Sequence, residues 1–155
     1  MLLDIRAWLG YRVARRLMSW RWAVQQPKLW RWMEGQFSRM AALGDVSAQS
    51  FYGHILVFRG RGFGARNEGI RLLRLAARAG DAKAAYQMGA ISLSEDASHG
   101  PDAAEAANWW ALAVKAGHPL AATRLAQLYR AGGHGLEADP ELARHYEACA
   151  ARLGL

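Results

Sequence analysis

The chain has one cysteine, Cys149, so no internal disulfide can form and a disulfide-built secreted scaffold is excluded. It lacks any apolar run near the roughly 18–20 residues that a transmembrane helix needs. Strand signals are scarce. Only Ile55-Leu56-Val57-Phe58 is rich in β-formers, and its place at the end of a repeated helical segment favours helix. Acidic residues are the minority charge, 13 against 20 basic, for a formal net charge of +7. The start, Met1 to Arg6, has charge inside what would be an apolar region and no small-residue cleavage site, so no standard secretory signal is expected. A cytoplasmic protein, with the inner-membrane surface as its peripheral alternative, is the expected setting. What is present excludes wholesale disorder: 52% of residues are hydrophobic and 21% charged. At 155 residues the chain is one domain or one short repeat array.

The positive charge is concentrated. Residues 1–44 hold Arg6, Arg12, Arg15, Arg16, Arg21, Lys28, Arg31 and Arg39 against only Asp4 and Glu34. They also hold Trp8, Trp20, Trp22, Trp30 and Trp32, five of the seven tryptophans. A basic, Trp-rich head thus precedes a nearly neutral, Ala-rich body, and electrostatic partnering belongs mostly to the head.

A repeat dominates the body. Leu43-Gly44, Ala79-Gly80, Ala116-Gly117 and Leu153-Gly154 recur at the spacing of two-helix solenoids. Small or apolar pairs precede each glycine: Met40-Ala41, Ala76-Ala77, Ala113-Val114 and Ala150-Ala151. Bulky residues stand a turn earlier, at Leu72-Leu73, Trp109-Trp110 and Tyr146. Small residues let neighbouring helices approach, and bulky ones fill the gaps.

The punctuation agrees. The four glycines stand where a helix end requires positive φ. Asp45 and Asp81 follow as N-caps, and His118-Pro119 takes their place in the third unit. Asp102 with Glu105 forms a capping box, and Asp139-Pro140 pairs a cap with proline. Gly60-Arg61-Gly62 and Gly133-His134-Gly135 mark corners between helices; residues 94–100, with His99, form a looser loop in the middle unit. The body therefore predicts three helix–loop–helix units, 45–80, 81–117 and 118–154, after a head of residues 1–44.

These residues resemble the Sel-one-like repeats, relatives of the tetratricopeptide repeats. The likeness is carried by Leu125 to Tyr129, Gly133, Gly135, Asp139, Ala143, Tyr146, Ala150 and Gly154. In the middle unit it is carried by Met88-Gly89, Asp102, Ala106, Trp109-Trp110, Ala113 and Gly117. The first unit keeps Gly60 and Gly62 but has Ala65 in place of the capping aspartate. The resemblance implies an all-α, right-handed α-solenoid of three units with an N-terminal helical hairpin as cap. It implies a non-enzymatic protein-interaction scaffold or adaptor, in bacteria often within envelope, secretion or signalling systems. The family also serves as inhibitors or immunity proteins beside secreted effectors, which is the alternative function. No cofactor is implied.

In the head, Lys28 to Leu43 reproduces the ending of a repeat, and Leu2 to Gln26 reads as one helix of roughly seven turns. Leu2, Leu9, Val13, Leu17, Trp20 and Val24 form one apolar face. Ala7, Trp8, Tyr11, Ala14, Met18 and Trp22 form a second, with arginines in the seams. Two apolar faces need two burial partners. Trp8, Tyr11, Arg15, Met18 and Trp22 are the candidate N-terminal interaction face, open to a protein, a second copy or an anionic membrane surface. Nucleic acid is disfavoured, because no recognition motif accompanies the basic residues.

Chemistry is not evident. Cys149 occupies a mostly apolar repeat position, where a structural thiol is expected. His145 and Cys149 are spaced to hold a metal, but no second pair accompanies them, so no metal site is expected. Gly60-Arg61-Gly62-Phe63-Gly64 lacks the preceding strand and following Lys-Ser/Thr of a phosphate loop. In the resembled fold the first helix of each unit lines the concave face. That makes Ser47, Ser50, His54 and Phe58, then Lys83, Tyr86 and Leu93, then Thr123, Gln127 and Arg130, the candidate partner groove. Phe58, Tyr86 and Leu93 are the expected apolar anchors, and Lys83 and Arg130 the contacts to an acidic segment. Arg71, Arg74 and Arg78 form a basic stripe on a second helix.

Overall fold

The computed structural model describes residues 2–94 and 100–155, leaving aside the side chains of residues 2–4 and 63. The described residues form nine helices and no strand: α1 (Leu2–Leu17), α2 (Arg21–Gln25), α3 (Pro27–Ala42), α4 (Val46–Arg59), α5 (Phe63–Arg78), α6 (Ala82–Ser92), α7 (Ala103–Lys115), α8 (Pro119–Ala131) and α9 (Pro140–Arg152). Ile55 to Phe58 are helical, as the repeat requires. The chain divides into two compact units, residues 1–72 and 73–155, and the division falls inside α5.

The expected stop signals and N-caps operate, but the capping box does not close, because the Glu105 carboxylate accepts the Trp109 indole N–H at 3.2 Å and the Asp102 N–H donates to the Ser92 carbonyl at 2.8 Å. Gly44, Gly80, Gly117 and Gly154 have φ of 88°, 96°, 86° and 97°, the left-handed region where a Cβ is costly. The Asp45, Asp81, Asp102 and Asp139 carboxylates each accept a backbone N–H of the helix that follows. His118 does the same through Nδ1, which accepts the Ala121 N–H at 3.3 Å.

One element differs from expectation. The long first helix is two, because the chain leaves α1 after Leu17 and Trp20 adopts an extended conformation at φ −97° and ψ 108°. The Ser19 hydroxyl donates to the Arg16 carbonyl at 2.7 Å, satisfying an acceptor that continued helix would have used.

In unit 1, α1 packs on α3 and α3 on α4. Their core is aromatic. Phe37 is wholly buried, edge-on to Tyr11 (6.1 Å) and Phe51 (5.1 Å) and tilted against Tyr52 (6.4 Å). A Cβ on Gly10 would run into the Gln36 amide, so glycine here allows α1 and α3 to approach. In unit 2, α6 packs on α7, α7 on α8 and α8 on α9 through alanines. The Trp110 indole lies against Gly89 where any Cβ would stand, and its N–H donates to the Tyr86 carbonyl at 3.1 Å. The Gly133–Gly135 corner is tied to α7 by the Ala103 N–H donating to the His134 carbonyl at 3.1 Å.

Candidate interaction surfaces

The α4 candidates separate by burial. Ser47 and Phe58 are exposed, and Phe58 shows 60% of its surface to solvent. His54 is half-buried, its ring 4.7 Å from that of Phe58, with Nδ1 buried and unpartnered among the described residues. Ser50, expected to face a partner, is instead buried. The α4 face that meets the core is broader than a single stripe, running through Ala48, Gln49, Tyr52, Gly53, Ile55, Leu56 and Val57, and it takes Ser50 with it.

In unit 2, Lys83 is exposed and Tyr86 half-buried. The Tyr86 ring stacks on His118 at 4.4 Å and 9° and lies 6.5 Å from that of Trp110. Burial pushes the His118 pKa down, which suits an imidazole that accepts a backbone N–H. Leu93 is half-buried and closes α6 as its C-cap. Thr123, Gln127 and Arg130 come together along α8 and line an open recess of about 420 Å³. Ala126, Leu120, Ala150 and Leu155 supply its apolar walls, and Glu147 completes the polar rim. Arg130 forms an ion pair with Glu147 across α8 and α9, so it is not the free cation expected of it. Lys83, by contrast, has no carboxylate partner among the described residues.

The head face also separates. Trp8 and Trp22 are 44% and 63% exposed. Arg15 is exposed and fixed, donating to the Tyr11 hydroxyl and to Ser47 Oγ, each at 3.0 Å. Tyr11 itself is buried in the unit 1 core and Met18 packs against that core, so neither belongs to an outward face. Of the two apolar faces read from the helical wheel, the one through Ala7, Tyr11 and Ala14 is covered. The other stays open at Leu9, Val13 and Trp20, and Ile5, which belongs to neither expected face, joins it. The wheel could have found Ile5, which stands one turn before Leu9.

Cys149 Sγ is 3.7 Å from His145 Nε2 and accepts a hydrogen bond from Arg152 at 3.0 Å, all along α9. Among the described residues no cluster of three potential ligands could hold a metal ion. Arg71 is paired with Glu68 at 2.7 Å, which holds that carboxyl below its usual range and breaks up the basic stripe with Arg74 and Arg78. His99 and the rest of residues 95–99 lie outside the described residues. None of the described helices is long and apolar enough to cross a membrane.

No family model matches the chain, and no curated protein matches it. Solved structures do. A Sel1 repeat protein from Oxalobacter formigenes aligns at TM-score 0.64 and 30% identity, over 77% of this chain and 88% of its own. The protein c5321, a protective antigen of uropathogenic Escherichia coli with an SLR fold, aligns at TM-score 0.67 and 22% identity, over 79% of this chain. This chain spans only 26% of that antigen's length, so the second likeness concerns the fold alone.

Proposed function

The chain belongs to the Sel1 repeat family of all-α solenoid proteins, and from that premise we propose that it is a non-enzymatic adaptor that holds a protein partner on its repeat helices. Such repeat proteins are generally interaction scaffolds. The observation that carries the reading is the α8–α9 recess. An apolar lining with a polar rim of Thr123, Gln127, Arg130 and Glu147 supports a peptide-binding cleft there. Tyr86, stacked on His118, is a second anchor in the same unit, with Lys83 one turn before it as the cation for an acidic segment. Phe58 and Ser47 offer a corresponding accessible pair on α4. The adaptor would work in the cytoplasm.

The test is co-purification of the full chain from its native cells with mass spectrometry, beside Gln127→Trp, which fills the recess, and Lys83→Glu. A partner held by the wild type and lost by both variants supports the reading. An unchanged partner set with both variants folded overturns it. A sole partner whose enzymatic activity is abolished on binding would make the chain an inhibitor rather than an adaptor.

A further inference from the structure

The outward face of α1 is left unused by a groove on α6 and α8. Ala7, Tyr11 and Ala14 are buried, whereas Ile5, Leu9 and Val13 follow one another at four-residue spacing on the other side, 50%, 51% and 51% exposed. Among them stand Trp8 and Arg12, whose guanidinium lies 4.8 Å from the indole, and the exposed Arg16 one turn on. An apolar stripe and cations thus share a single helix face. Among the described residues no arginine of the head, nor Lys28, pairs with a carboxylate.

An occupant must therefore bury apolar groups and neutralise arginines together. A second copy docked through the same face would bring these arginines against themselves, which like-charge repulsion opposes. An anionic bilayer meets both demands, with acyl chains for the stripe and phosphates for the guanidiniums. It also requires no matching groove, which suits a face that is the side of a helix. The sequence directly after α1 agrees: Trp20 and Trp22 are 58% and 63% exposed, and indole favours the boundary between headgroups and hydrocarbon. An open recess of about 530 Å³ on this helix is lined by Tyr11, Val13 and the three guanidinium-bearing residues Arg12, Arg15 and Arg16. Arg15 is already held there by Tyr11 and Ser47, and Arg12 by Trp8, so little ordering remains when a phosphate enters.

We propose that α1 lies flat on an anionic phospholipid surface, with Ile5, Leu9 and Val13 dipping into the acyl boundary and Arg12 and Arg16 on lipid phosphates. The helix lies on the bilayer rather than crossing it. The full chain is sedimented with vesicles of phosphatidylcholine alone and of phosphatidylcholine mixed with phosphatidylglycerol, while tryptophan emission is followed. The expected result is binding to the anionic vesicles only, with a blue shift that added salt reverses. Arg12→Gln and Arg16→Gln should each weaken binding about fivefold. Leu9→Asp with Val13→Asp should abolish it while circular dichroism stays unchanged, since both positions are exposed. Equal binding to neutral vesicles, or no binding to either, overturns the proposal, as does indifference to the arginine changes. Capture by soluble polyglutamate without vesicle binding also overturns it, assigning the face to an acidic protein. The recess variant Gln127→Trp should bind vesicles as the wild type does, so the two readings fail separately.

Discussion

The two units build helical packing from different materials. Among the described residues, alanine supplies thirteen of the nineteen buried apolar positions of unit 2 but five of the thirteen in unit 1. Unit 2 brings backbones close and leaves little volume to fill, with Gly89 under Trp110 as the tightest example. Unit 1 fills its interior with Phe37, Met33, Tyr11 and Tyr52. The ends of their helices differ too. In unit 1 Asp45 caps α4, but Trp20 and Gln26 begin α2 and α3 with no side-chain cap, whereas Asp81, Asp102, His118 and Asp139 all cap in unit 2. Unit 2 relies on alanine and on a cap at each helix start, and unit 1 relies more on bulky side chains.

If that contrast holds, truncation should hurt most in unit 1. Phe37→Ala removes a wholly buried ring that meets three others and should cost about 3–5 kcal/mol in urea unfolding. Addition should hurt in unit 2. Gly89→Ala places a methyl in the Trp110 indole and should cost about 1–3 kcal/mol, with a change in the emission of that tryptophan. Removing a cap should matter less, with Asp102→Ala lowering stability by about 1 kcal/mol in the same assay.

Acid should act on unit 2 through His118. Its folded pKa is lowered, so the unfolded chain binds the proton more readily. The stability it contributes is present above the ordinary histidine value near 6.5 and declines as pH falls below it. His118→Asn, which keeps a capping acceptor without titrating, should flatten that part of a stability–pH profile. The smallest effect belongs to Phe58→Ser, a change at an exposed position, which should leave stability within about 0.5 kcal/mol.

Local backbone chemistry was the legible part of the fold. The glycine joints and their caps depend on residues within one turn, so Gly80-Asp81 or Gly117-His118 can be read without knowing what packs where. The break after Leu17 was not legible, because no glycine or proline marks it and the Arg16 carbonyl is satisfied by the Ser19 hydroxyl and backbone N–H instead. Which face of a helix is covered depends on neighbours distant in sequence. Ser50, expected in the groove, and Tyr11, expected on the head's interaction face, are both buried. Arg130 looked free until α9 set Glu147 beside it. The recess residues Thr123 and Gln127 followed from the resemblance, which assigns the first helix of a unit to the concave face. Leu120, three residues before Thr123 on the same helix, could have been added, whereas Glu147 and Leu155 come from elsewhere in the chain and carried no such mark.

The turns at Gly80 and Gly117, both in the left-handed region, bracket residues 81–117 between two like joints. A cassette cut at these two points begins with its own helix starter and ends with its own stop, so tandem duplication would lengthen the array without inventing a new bend.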